Sequence, residues 1–234
     1  MESHKDNLAA VATYVQILSL NGKWDELAQK AEEFYEAYPE EPAFLEYANI
    51  AYYNLKDYQK VIETSERVLK AAKDTSTKVS AYSSIGDMYH QLGEPSKAYK
   101  AYDKALKLNP TYAPVLNNYA YFLSLEKKKL KKAAAMSKIT VEAEPDNPTY
   151  LDTYGWILFL QGKPAEAKPY FKHAMLYGGK DSAVELDHYA EVLYALGEYD
   201  LAFVYWNQAK GKNGDGEVEG LEEKIAARRA AVKK

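Results

Sequence analysis

Residues 82–110, YSSIGDMYHQLGEPSKAYKAYDKALKLNP, decide how this chain is read. Tyr82, Ile85, Gly86, Tyr89, Gly93, Ala98, Tyr102, Ala105 and Pro110 set large and small residues at fixed offsets. The same offsets return as Leu151, Tyr154, Gly155, Leu158, Gly162, Ala167, Phe171 and Ala174. They return again as Leu186, Tyr189, Ala190, Leu193, Gly197, Ala202, Trp206 and Ala209. Aligning the copies places six repeats, beginning near Leu8, Pro42, Val79, Ala113, Pro148 and Ala183. The period is close to the roughly 34 residues of a recurring helix–turn–helix unit. Ala98, Tyr102, Ala105 and Leu106 share one stripe at helical spacing. Gly86 and Ala98 are small because two helices must cross closely there.

The punctuation agrees. Gly22, Gly93, Gly162 and Gly197 mark the turn inside four repeats, where a left-handed residue ends a helix cheaply. Lys56 stands at that place in the second repeat, and residues 126–129 blur it in the fourth. Pro39, Pro110 and Pro145 close second helices, and Pro42 and Pro148 open first ones. Residues 73–78 read as a longer connecting loop between the second and third repeats. Residues 211–216 read as a turn. Beyond it, Val218, Leu221, Ile225 and Val232 form an apolar stripe suited to a helix that covers the end of an array.

On these residues the chain resembles the tetratricopeptide repeat family over nearly its whole length. The stretches 118–123 and 145–156 are similar to bacterial members. The resemblance implies an all-α fold, an α-solenoid of about six repeats coiled as a right-handed superhelix. It divides the chain into a leader at 1–7, an array at 8–216 with repeats at 8–41, 42–78, 79–112, 113–147, 148–182 and 183–216, and a capping helix at 217–234. It also implies a non-catalytic scaffold that holds a peptide or protein segment against its first helices.

Carried onto this sequence, the groove positions of the family fall on Glu46, Ile50, Tyr53, Asp87, His90, Asn117, Tyr121, Asp152, Trp156, Asp187, Glu191 and Tyr194. They are rich in carboxylates and aromatic rings and lack lysine and arginine. The partner they imply is basic or mixed aromatic and basic, because cations pair with carboxylates and stack on rings. Trp156 is the foremost anchor expected there. The carboxylate clamp of some co-chaperones needs lysine where this chain has Glu46 and Ser83, so that specialised role is rejected. The alternative is a structural module that self-assembles through the groove or an array end.

Composition narrows the remaining classes. The chain has 234 residues and a net charge of −4, which argues against a general nucleic-acid binder. It has no cysteine, which removes disulfides, thiolate metal sites and cysteine nucleophiles. No apolar run reaches the roughly 20 residues that span a bilayer. The polar start at Met1–Asp6 is what a piece of a longer chain would show, and the compartment stays open between cytoplasm and cell envelope. Four histidines are present: His4, His90, His173 and His188. Asp87 and His90 can face each other at i and i+3 but lack a third metal ligand at helical spacing. No phosphate loop, HExxH or GxSxG occurs, so no enzyme activity and no cofactor are expected. Lys127, Lys128, Lys129, Lys131 and Lys132 read as a solvated charge run. A monomer or weak homodimer is expected.

Overall fold

The structure, a computed structural model, describes residues 2–214 and 217–232, with side chains from Asn7 onward. It is all α-helix apart from one short 3₁₀ turn. The helices are α1 (Glu2–Leu20), α2 (Trp24–Ala37), α3 (Ala43–Asn54), α4 (Tyr58–Ala71), α5 (Thr75–Gln91), α6 (Pro95–Leu108), α7 (Ala113–Leu125), α8 (Leu130–Ala143), α9 (Pro148–Leu160), α10 (Pro164–Ala174), α11 (Ala183–Ala195), α12 (Tyr199–Lys212) and α13 (Leu221–Val232). Among the described residues there is no strand. Among the described residues no helix is long and apolar enough to cross a membrane.

The chain forms two compact units, Met1–Val115 and Leu116–Lys234. In the first, each helix from α1 to α6 packs on the next, and α1 also reaches α3. Its core joins Val15, Leu27, Phe44, Ala48, Val61, Ile85 and Met88. In the second, α8 to α13 pack in sequence and α9 reaches α11. That core joins Leu151, Leu158, Phe171, Leu186, Leu193, Trp206, Leu221 and Ile225. Within each unit successive helices pack on one another, so stability there is shared out as nearest-neighbour terms.

Three readings of the sequence change. Residues 2–7 are the first turns of α1, not a separate leader. Residues 75–78 are the first turn of α5. The Asp74 side chain accepts the Thr77 amide at 2.8 Å, capping a helix where the composition reads as loop. Gly211 and Lys212 belong to α12, and Asp215 and Gly216 lie outside the described residues.

The turn at Lys56 keeps the geometry its glycine counterparts have. Lys56 has φ +59°, beside +64° for Gly22 and +72° for Gly93. Lys127 and Lys129 adopt the same region in the fourth repeat, with φ +52° and +48°. Lysine accepts a left-handed backbone here at a cost that glycine avoids.

Candidate protein-binding site

The expected groove residues fall on α3, α5, α7, α9 and α11, which are first helices of successive hairpins. In the first unit, Glu46 is exposed, and Ile50 and Tyr53 are 41% and 54% exposed. Asp87 and His90 are half-buried on α5. The Tyr102 hydroxyl donates to Asp87 at 2.5 Å. Burial, and then the Asp87 charge, push the Tyr102 phenol well above its ordinary pKa.

In the second unit the remaining residues gather more tightly. Asn117 is buried on α7, and its Oδ1 has no partner. Tyr121 is half-buried, and its phenol is raised first by burial and then by the charge of Asp152. Asp152 is itself buried. Both its oxygens lie 3.0 Å from Nδ1 of His188, which sits on α11. A carboxylate only accepts, so Nδ1 carries the proton. The imidazole stacks on Trp156 with centroids 3.9 Å apart, and Trp156 stacks in turn on Phe159 at 5.1 Å.

Asp187 points the other way from its sequence neighbour His188, since adjacent residues on a helix do not share a face. It accepts Trp206 Nε1 at 2.9 Å and Lys224 Nζ at 2.6 Å. Glu191 accepts Arg228 Nη2 at 2.8 Å. The Arg228 guanidinium lies 4.7 Å from the Tyr194 ring centroid, and the Tyr194 hydroxyl donates to the Arg228 carbonyl at 3.3 Å. Glu185, on the same helix, is buried with Oε2 unpaired. Burial, and then the nearby Asp152 charge, push its carboxyl up to about 7.

Glu185, Lys224 and Arg228 of this constellation are absent from the sequence reading, which names His188 only among the histidines and gives it no partner. A usable signal exists in the repeat period. Asp152 and His188 are 36 positions apart, and Glu191 and Arg228 are 37 apart. Each partner lies two or three positions beyond one roughly 34-residue period from its acid, near the equivalent place in the next element but not at it. Among the described residues no cluster of three or more His, Cys, Asp or Glu is placed to hold a metal ion. Asp152, Asp187 and Glu191, expected to face a ligand, are instead buried and paired within the chain, while Glu46, Ile50 and Tyr53 are exposed.

Comparison with known proteins agrees with this architecture. Two models described as tetratricopeptide repeat match residues 79–112 and 101–135. The type IV pilus assembly protein PilF of Pseudomonas aeruginosa is 26% identical over 156 residues. That match covers 65% of this chain and 62% of PilF, so the chain spans about three fifths of that relative. The solved structure of PilW, described as a widely conserved type IV pilus biogenesis factor, superposes with a TM-score of 0.72 at 18% identity, covering 93% of this chain and 97% of PilW. The Cut9–Hcn1 complex superposes with a TM-score of 0.76 at 15% identity, covering 94% of this chain and 42% of the matched one. Spacing, helix hairpins and repeat models point one way, and this chain is a tetratricopeptide repeat-containing protein.

Proposed function

We propose that this chain is a non-catalytic scaffold that binds a protein or peptide segment on its first helices, in the assembly of type IV pili. Tetratricopeptide repeats mediate protein–protein interaction, and the PilF likeness supports the pilus setting. The observation that carries the binding reading is the acidic and aromatic face of α11. Asp187, Glu191 and Tyr194 there already hold two cations, Lys224 and Arg228. A partner segment with basic and aromatic side chains fits such a face, because cations gain from both carboxylates and ring faces. On α3, Ile50 and Tyr53 offer exposed apolar area beside Glu46.

Affinity capture from a native lysate tests this. Proteins held by the wild type and lost from Tyr53→Ala or Trp156→Ala, each confirmed folded by circular dichroism, are clients of the first helix that carries the substitution. Pilus-assembly proteins are expected among them. Capture that ignores both substitutions removes the reading.

A second reading, self-association, is favoured by Ile17 and Leu20 on α1, which are 49% and 80% exposed. Light scattering separates the two: a dimer lost on Leu20→Ser supports assembly, and a concentration-independent monomer removes it.

A further inference from the structure

The acidic face of α11 is occupied by the chain's own last helix. Lys224 of α13 reaches Asp187 at 2.6 Å and Glu191 at 3.8 Å, and Arg228, one turn on, reaches Glu191 at 2.8 Å. Leu221 and Ile225, also one turn apart, are the buried apolar residues of α13. The rest of this helix is thinly held. Glu222, Glu223, Ala226, Ala227 and Ala230 are exposed, and Val232 is 39% exposed. Against α12 it makes a Lys210–Glu222 ion pair at 2.9 Å and sets Arg229 5.0 Å from the Phe203 ring centroid, around a cleft of about 440 Å³ lined by Asn207, Lys210, Ile225 and Ala230. The α11–α12 seam is different in kind, with Leu186, Leu193 and Trp206 fully buried.

The attachment has a natural hinge. The Asn213 side chain donates to the Val218 carbonyl at 2.9 Å and accepts the Val218 amide at 2.8 Å, pinning that residue to the end of α12. Gly220, at φ +63°, then turns the chain into α13. The joint between α12 and α13 therefore lies between Val218 and Leu221.

Resting on the protein-binding reading above, the geometry points to α11 as the docking face for a basic amphipathic helix of a partner, with α13 as its built-in occupant. The partner helix carries two apolar residues one turn apart and two cations one turn apart, the arrangement of Leu221, Ile225, Lys224 and Arg228. It displaces α13 by making the same contacts. A seam of two buried apolar side chains, ion pairs and two cation–ring contacts is one that a competitor making the same contacts can replace.

The test uses the full chain and a labelled peptide of residues 217–232. The peptide is titrated against the wild type and against a Lys224→Glu, Arg228→Glu variant, whose own α13 is repelled. Binding at least about tenfold tighter to the variant is expected, with a further Glu191→Gln substitution weakening it at least about fivefold. A host peptide carrying only those four side chains at the same spacing is expected to compete, and its scrambled version to fail. Equal binding to both proteins, no binding to the variant, indifference to Glu191→Gln, or competition by the scrambled peptide overturns the proposal.

Hydrogen exchange on the unmodified chain guards against a variant that does not fold. Amides of residues 221–232 are expected to exchange at least about tenfold faster than those of α11. Exchange as slow as in α11 overturns the proposal. None of these readouts needs an outside protein, so a failed capture of pilus clients leaves them unmoved.

Discussion

His188 lies flat against Trp156, with ring planes 11° from parallel, while Asp152 holds its Nδ1. The stack ties α9 to α11, and so one repeat to the next. Trp156→Ala removes one face of it and is expected to cost about 1–3 kcal/mol, within the range for aromatic pairs plus lost area. His188→Phe keeps a ring but leaves a buried carboxylate without its donor, at about 1–3 kcal/mol or more. Urea denaturation checks both, and unchanged midpoints contradict the tie.

Glu185 makes stability depend on pH. Its folded pKa of about 7 lies above the ordinary 4.5, so the folded state holds a proton that the unfolded state has released. The stability it contributes is full below roughly pH 4.5 and is lost as pH rises through about 7. Asp152 opposes its ionisation and His188 favours it. Glu185→Gln is expected to raise the melting temperature relative to wild type near pH 8 more than near pH 5. An equal difference at both pH values contradicts the assignment.

Gly86 sits beneath the ring of Tyr102, where an added Cβ meets Cε1, Cδ1 and Cζ. Gly155 repeats the arrangement, with an added Cβ 2.8 Å from Cε2 of Phe171. Gly86→Leu is expected to cost about 1–3 kcal/mol or more by overpacking. Tyr102→Ala is expected to cost about 3–5 kcal/mol by leaving a cavity. Gly86→Ala costs less in the Tyr102→Ala background than alone, because the clash is gone, and a coupling energy of about 0.5–3 kcal/mol measures the contact.

Lys56 takes a left-handed backbone that glycine supplies elsewhere. Lys56→Gly is expected to stabilise by up to about 1 kcal/mol, the αL cost less the added chain entropy. Gly93→Lys is expected to lose a similar amount, since nothing lies within 4 Å of a Cβ there. Thermal melts of the two variants shift in opposite directions if the turn is the cause.

The helix hairpins are legible because their signals are local. Gly93, Ala98, Tyr102 and Pro110 recur at offsets that only a packed pair of helices requires. The start of α5 is harder, because Asp74 and Thr77 cap a helix with the residue types that also make loops. The candidate site is legible only by half. Asp152, Asp187 and Glu191 are placed on first helices by their register, but their partners His188, Lys224 and Arg228 come one repeat later. Nothing local marks that distance, and an acid on a helix looks the same whether water or another helix meets it.

The links Thr149–Glu185, Asp152–His188, Asp187–Lys224 and Glu191–Arg228 all span 36 or 37 positions. They act as rungs between parallel rails, and a rung does not sense how much chain loops out between its ends. Lengthening the turn at Gly162, where space is open, leaves every rung standing. One residue inserted within α11 ahead of Asp187 instead rotates the remainder of that helix by roughly 100° and takes Asp187 and His188 off their partners together. In this fold an added residue is tolerated in a bend and disruptive within a first helix.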